Sequence, residues 1–285
     1  MHVIDTSPEM ERFCARGSFD REAWARYMDA ALPGGRALCE ADLEESLEKD
    51  LDWARDFLPV LDAACRDAAG RARVRELFRR VTEGLEARIV KCFGRAPEAD
   101  VVLYLGLCSG AGWVTELNGK CAVLLGIEKI LELSWDNADD MTGLVYHELG
   151  HVYQAQFGVL HRDAEQAGDD FLWQLFTEGI AMVFEQEVAG SPEYFHQDKN
   201  GWKAWLDAHL QSLAADFRKD LETMTPSSQR YFGDWVNYEG QLDAGYYLGA
   251  RLVRHMLAAA PFDELICFDI PAVRRGFEGF LNSLK

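Results

Sequence analysis

Residues 147–151 read His-Glu-Leu-Gly-His, and this segment constrains the fold more than any other feature of the 285-residue sequence. Residues four positions apart on an α-helix lie about one turn apart on the same face. The spacing therefore places the imidazoles of His147 and His151 where one metal ion can bind both, provided that the segment is helical. Glu148 projects to the side of that pair, toward a water molecule on the metal. The motif predicts a metal-binding helix that carries a carboxylate base.

The residues around the motif are typical of a buried helix. The acidic stretch Asp136–Asp140 precedes it, where the positive end of the helix dipole favours negative charge. Gly158 is the expected end of the helix. The alternative to a metal site is two ordinary histidines on a core helix. The positions that flank the motif are uncharged: Leu144, Val145, Tyr146, Val152 and Tyr153.

A zinc site needs a third protein ligand, and the sequence favours Glu178. Glu178 is the only charged residue of the segment 171–184 (FLWQLFTEGIAMVF). A lone carboxylate on an apolar helix is destabilising unless it is paired or binds a metal. Gly179 beside it predicts that another backbone approaches closely. Glu178 alternatively pairs with an arginine or faces water. The rival ligands lie in the polar stretch after the motif: His161, Asp163 and Glu165.

The first hundred residues predict helices. Ser18 is the expected N-cap of the first helix, and further helices are expected over Ala41–Ala69 and Arg71–Cys92. The third helix carries a basic stripe that suits an anionic partner, but its interleaved glutamates favour a solvated face. Gly94-Arg95-Ala96-Pro97 predicts a boundary, so that residues 1–98 form an N-terminal helical region.

Beyond that boundary the hydrophobic pattern changes to that of strands. Asp100–Cys108 and Lys120–Ile127 are rich in β-branched and apolar residues. Between them, Trp113–Leu117 runs into Asn118-Gly119, the strongest short signal for a β-hairpin. The glycine-rich segment 106–112 lacks the Lys-Ser/Thr of a phosphate-binding loop, so we interpret it as a connection between strands. The pattern predicts a small antiparallel sheet.

The remainder of the chain again predicts helices, so the expected fold is α+β and mainly helical. A domain over residues 99–285 is expected, with the sheet and the motif helix in 99–160 and a helical subdomain in 161–285. The individual helices are expected at about 139–157, 169–189, 200–223 and 240–259, with a short final helix in 262–285.

Composition excludes several classes of function. Forty-eight acidic and 29 basic residues give a formal net charge of −19, which repels nucleic-acid phosphates. The longest apolar runs span about seven or eight residues, against roughly twenty for a membrane-spanning helix, and the N-terminus lacks a signal-peptide pattern. Seven cysteines without a C-x-x-C pair favour a reducing compartment. We therefore expect a cytoplasmic protein without nucleic-acid or membrane partners.

Taken together, the motifs resemble a known class. His147-Glu148-x-x-His151, followed by Thr177-Glu178-Gly179-Ile180-Ala181, resembles the gluzincin class of zinc metallopeptidases. The segment Gly245-Tyr246-Tyr247-Leu248-Gly249 is similar to the G-Y-x-L-G segment of a group described as predicted zinc-dependent proteases. The resemblance covers roughly residues 99–256 and implies a zincin-like metallopeptidase core.

The resemblance also implies a reaction and its residues. One Zn²⁺ per chain, held by His147, His151 and Glu178, keeps a fourth position for water and lowers the pKa of that water toward neutrality. Glu148 acts as the general base and then protonates the leaving amine. Tyr246 donates a hydrogen bond to the oxyanion, with Tyr247 as the alternative donor. The implied substrate is a peptide or protein.

Two further features of the class concern the substrate strand and the support of the zinc ligands. In gluzincins a strand before the active-site helix binds the substrate backbone by strand addition, a role that the resemblance assigns to Cys121–Ile127. Many gluzincins also carry an Asp or Asn four residues after the ligand glutamate, which orients a zinc histidine, whereas this chain has Met182 there.

Other interpretations of the sequence stay open. A metzincin ligand set is excluded, because Gln154 and Phe157 replace its glycine and third histidine. A non-catalytic protein with a structural or regulatory zinc site is one alternative to a peptidase. A zinc hydrolase acting on a non-peptide amide or ester is another. Imidazole and carboxylate ligands also suit Mn²⁺, Fe²⁺, Co²⁺ and Ni²⁺.

Overall fold

The computed structural model describes residues 1–49, 51–233 and 235–285. They form a mainly helical α+β fold with one small sheet, so the α+β and mainly helical character expected from the sequence is confirmed. The chain divides into two compact units, Met1–Glu148 and Leu149–Lys285. None of the described helices has the length and apolar content that crossing a bilayer requires.

The first unit combines the sheet with short helices. Its strands are β1 His2–Asp5, β2 Asp100–Tyr104, β3 Gly112–Leu117 and β4 Lys120–Gly126. Its helices are α1 Ser7–Cys14, α2 Arg21–Ala31, α3 Gly35–Glu48, α4 Leu58–Arg66, α5 Ala68–Thr82, α6 Leu85–Phe93 and α7 Ile127–Glu132. A π-helical turn, Trp53–Phe57, leads into α4.

The sheet is mixed, which corrects the expected antiparallel arrangement. Its strand order is β1-β2-β4-β3; β1, β2 and β4 are parallel, and β3 alone is antiparallel. The Asn118-Gly119 hairpin is confirmed, with φ of 54° and 75°, the left-handed conformation of such turns. β2 and β4 are buried along most of their length, as strands of a parallel sheet usually are.

Strand β1 was not expected from the sequence. It pairs in parallel with β2, so that His2 lies opposite Asp100 and Asp5 opposite Leu103. Four residues with mostly exposed side chains give too short a pattern to indicate a strand. The pairing links a segment before the expected boundary at residue 98 to one after it.

The N-terminal helices are shorter than expected, for local reasons. Asp20 caps α2 in place of Ser18, because its carboxylate accepts a backbone N–H of the first turn. The helix expected over 41–69 is divided into α3, the π-helical turn and α4, and Pro59 lies in the first turn of α4. Gly84, with φ of 67°, separates α5 from α6.

The segment between β2 and β3 is a connection, as expected, and a buried carboxylate holds it. Glu128 accepts hydrogen bonds from Gly106 N at 3.0 Å and from Cys108 N at 3.1 Å. Burial raises the pKa of Glu128, and these N–H groups oppose that effect. Burial also raises the pKa of the Cys108 thiol, which disfavours a nucleophilic thiolate there.

Helix α8, Ala138–Phe157, is continuous across the division between the two units. The second unit adds helices close to their expected positions. These are α9 Asp169–Ala189, α10 Trp202–Asp220, α11 Ala244–Met256, α12 Phe262–Leu265 and α13 Ile270–Ser283. Helix α11 begins later than expected because Tyr238 and Gln241 exchange backbone hydrogen bonds in a turn before it.

Candidate metal centre

The two histidines lie on one continuous helix, α8. Its first turn is stabilised by Asn137, whose Oδ1 accepts a hydrogen bond from Asp140 N at 3.1 Å. His147 is 8% exposed, and the side chain of His151 is 16% exposed. One helical turn separates them, so the local structure alone points both imidazoles to the same side.

Glu178 of α9 joins the two histidines. His147, His151 and Glu178 each offer a ligand atom, and these atoms all lie within 4.8 Å of one another. Among the described residues, this is the one group of three or more metal-ligating side chains that meets this criterion. The rival ligands His161, Asp163 and Glu165 are exposed and lie outside it.

The distance between one imidazole and the carboxylate suits a small divalent ion. His151 Nε2 and Glu178 Oε2 are 3.3 Å apart. Two ligand atoms at about 2.0–2.1 Å from a tetrahedral zinc ion lie about 3.3–3.4 Å from each other. Two imidazoles and one carboxylate are also a ligand set that leaves a coordination position open. The residues present therefore fit a zinc ion.

Helices α8 and α9 come into backbone contact beside this group. Gly150, between Glu148 and His151, lies against Ala181; a Cβ added to Gly150 would be 2.8 Å from Ala181 Cα. Real Cβ atoms do not approach other heavy atoms so closely, so a side chain at this position would push α9 away. Gly150 thus sets the separation between the helix of His151 and the helix of Glu178.

A second glycine contact fixes α9 from another side. The close backbone approach expected at Gly179 is confirmed, because a Cβ there would lie 2.3 Å from Gly249 O. A Cβ on Gly249 would lie 2.4 Å from Leu175 O. Helices α9 and α11 therefore cross with their backbones in contact, one residue from Glu178. This contact gives the second glycine of the G-Y-Y-L-G segment a structural role.

Glu148 lies next to the sheet's edge strand. A Cβ added to Gly112, the first residue of β3, would be 3.1 Å from Glu148 Cγ. Strand β4 is hydrogen-bonded to β2 on one side and to β3 on the other, so it has no free edge for a substrate strand. The strand-addition role expected for Cys121–Ile127 is therefore not available to it, whereas β3 is an edge strand.

The two adjacent tyrosines of α11 differ in their environments. Tyr247 is fully buried, and its hydroxyl donates a hydrogen bond to Asp207 Oδ1 at 2.5 Å. Burial and this hydrogen bond raise the pKa of Tyr247. Tyr246 is half-buried, and its ring packs edge-on against Phe232 with the centroids 5.9 Å apart. Of the two, Tyr246 has the more accessible side chain.

Sequence reasoning missed the contributions of Gly150 and Gly112. The signal at Gly150 was the glycine inside the motif, since glycine lowers helix propensity and needs a packing reason in a buried helix. At Gly112 the neighbour in space lies far along the chain, so no local pattern indicates it.

Comparison with protein families, with curated proteins and with solved structures finds no match to this chain.

Proposed function

We propose that this chain is a zinc-dependent peptidase that hydrolyses peptide bonds with an activated water molecule and a glutamate base. The observation that carries the proposal is the convergence of His147, His151 and Glu178, with Glu148 on the same helix as both histidines. This combination supplies three metal ligands and one carboxylate that follows the first histidine, as the gluzincin-like motif requires.

Each residue has a distinct task in this proposal. His147, His151 and Glu178 hold the ion as neutral imidazoles and a carboxylate. A zinc ion held by these residues would supply a Lewis acid that acidifies water and polarises a carbonyl group. Glu148 accepts the proton of the attacking water and then transfers it to the departing amine.

Two further elements are assigned to the substrate. Strand β3 is an edge strand of the described sheet and begins beside Glu148, so we assign to it the backbone pairing with an extended peptide next to the base. Tyr246 is the preferred donor to the developing oxyanion, since the hydroxyl of Tyr247 is buried and bonded to Asp207. We accordingly propose a peptide or protein as the substrate.

The ligand set favours catalysis over a structural zinc site. Structural sites are generally closed by four protein ligands and are rich in cysteine, whereas this group contains three ligands and no cysteine.

We place the activity in the cytoplasm, because seven cysteines occur without a C-x-x-C pair. The net charge of −19 argues against a nucleic-acid substrate.

The replacement Glu148→Gln tests the proposal. It preserves shape and removes the base, so we expect the variant to keep about one zinc per chain and to lose turnover by roughly 10²- to 10⁴-fold. Zinc is measured by elemental analysis and turnover with a library of quenched fluorescent peptides. Glu132→Gln, an exposed glutamate of α7, is the control and should retain both properties.

Two results would contradict the proposal. Undiminished peptide cleavage by the Glu148→Gln variant would remove Glu148 from the reaction. A wild-type protein that binds zinc and cleaves no peptide of the library would favour a non-catalytic zinc protein. If such a protein instead hydrolysed simple amides or esters, with the same dependence on Glu148, the substrate would be a non-peptide one.

A further inference from the structure

Two cysteine thiols lie in direct contact inside the first unit, away from the three metal-ligating residues. Cys14 is the last residue of α1 and Cys65 lies in α4, 51 positions further along the chain. Their Sγ atoms are 3.3 Å apart, and a hydrogen of either thiol can bridge them. Both side chains are buried, at 2% exposure. Folding has therefore already brought the two sulfurs together.

A buried arginine lies beside the pair. Arg71, at 3% exposure, donates hydrogen bonds from Nη1 to Ala64 O at 2.6 Å and to Cys65 O at 2.7 Å. Its guanidinium also forms an ion pair with Glu11 at 2.7 Å. The hydrogen bond from Cys65 lowers the pKa of Cys14 more than burial raises it, and the Arg71 charge adds to the lowering. Arg71 therefore places a positive charge beside the thiolate that the pair must form in order to react.

The same arginine separates the cysteines from an open cleft. Arg71 and Glu11 line a cleft of about 480 Å³, together with Asp5, Arg75 and Arg79. A small uncharged molecule in this cleft is one side chain away from the buried pair.

We propose that Cys14 and Cys65 are a redox-active pair that a small peroxide converts reversibly into a disulfide. The Cys14 thiolate attacks one oxygen of hydrogen peroxide; the O–O bond breaks, and the released hydroxide takes up a proton to become water. The Cys65 sulfur then attacks the resulting sulfenic acid. The S–O bond breaks, the S–S bond forms, and hydroxide leaves with the Cys65 proton as a second water. Two thiols are oxidised, and one peroxide is reduced to two waters.

The disulfide would join α1 to α4 across a long loop. Cross-links over long loops remove conformations from the unfolded chain, so the oxidised protein should be the more stable form. Helix α4 packs against α7, so the bond would also restrain the neighbourhood of that helix. None of this depends on the metal centre, and the test below gives the same result whether or not the chain is a peptidase.

The experiment is a thiol map of the wild-type chain before and after limited hydrogen peroxide. We expect the intact mass to fall by two hydrogen atoms and a cross-linked peptide containing Cys14 and Cys65 to appear, with both changes reversed by dithiothreitol. The Tm should rise by roughly 5 to 10 °C on oxidation. Cys92→Ser, which removes an exposed thiol, is the matched control and should form the same cross-link. Cys14→Ser should not form it.

The proposal is overturned if, after peroxide treatment and denaturation, Cys14 and Cys65 both remain alkylatable. It is equally overturned if they carry separate sulfinic acids, or if the oxidation appears only at other cysteines such as Cys92. Because the map is made on the wild-type protein, a folding defect of the Cys14→Ser variant would not affect this decision.

Discussion

Helices α5 and α9 differ in the number and the pairing of their charged side chains. In α5, each arginine of the basic stripe has an acidic partner: Arg71 with Glu11, Arg73 with Asp136, Arg75 with Asp5, and both Arg79 and Arg80 with Glu76. In α9, the segment Phe171–Phe184 has one charged residue, Glu178, and it lies 3.3 Å from the imidazole of His151.

The comparison of α5 with α9 distinguishes charged side chains that neutralise one another from a charged side chain that converges with other possible ligands. The interpretation of α5 as a solvated face is confirmed for the four exposed arginines, whereas Arg71 is buried. Ion pairs of this exposed kind add little stability and imply no partner. On α9, the single carboxylate of the segment Phe171–Phe184 meets two imidazoles of α8, and imidazole and carboxylate groups are typical zinc ligands. The number of charged residues on a helix is therefore a poor guide to function, and the convergence of possible ligand side chains at one point is a better one.

The largest expected effect follows from removing the carboxylate of α9. Glu178→Gln should weaken zinc binding by more than about 100-fold, since even residues that only support a ligand contribute 10- to 100-fold. Zinc affinity is measured by competition with a chromogenic chelator. Glu187→Gln, an exposed position on the same helix, should leave the affinity unchanged. Equal zinc affinity in the two variants would remove the distinction drawn between α5 and α9.

A smaller effect, on stability, is expected from adding a side chain where α9 and α11 cross. Gly249→Ala should lower the free energy of unfolding by about 1–3 kcal/mol, because its Cβ would lie 2.4 Å from Leu175 O. Gly279→Ala in α13 is the matched control: the nearest atom to its Cβ would be 3.7 Å away, and alanine should stabilise that helix by about 0.5–1 kcal/mol. Urea denaturation compares the two. Equal stabilities would show that the crossing tolerates a side chain.

The smallest effect, also on stability, is expected from removing a carboxylate of the ion pairs on α5. Hydrogen bonds from Arg79 and Arg80 lower the pKa of Glu76 from 4.5 to about 2 in the folded chain. Its contribution to stability is therefore present above about pH 4.5 and lost as the pH falls toward 2. At neutral pH, Glu76→Gln should change the Tm by less than about 2 °C, and by less still in high salt. A larger, salt-independent loss would mean that these pairs are structural.

The positions of α8 and α9 were predictable because their signals are local. Helices α8 and α9 begin and end within a residue of their expected positions, at turn residues such as Gly158 and Gly190. The hairpin at Asn118-Gly119 was equally local. The parallel pairing of β2 with β4 was not predictable, because it joins distant segments and depends on how the intervening loop crosses the sheet.

The candidate site shows the same division between local and distant signals. The positions of His147, Glu148 and His151 follow from helical spacing, and Glu178 was inferred as an isolated charge on an apolar helix. The contacts of Gly150 with Ala181 and of Gly249 with Leu175 required the structure, since glycine in a sequence does not indicate which backbone approaches it. The resemblance already favoured Tyr246 over Tyr247, and the contact of Tyr247 with Asp207 adds a structural reason for the same choice.

The most direct test of the metal centre is the metal content of the purified protein, determined by elemental analysis without added metal, beside a His151→Ala variant. The account predicts about one zinc per chain in the wild type and none in the variant. A wild type that contains no metal and takes up none from added zinc would contradict it, and so would a variant that retains the metal of the wild type.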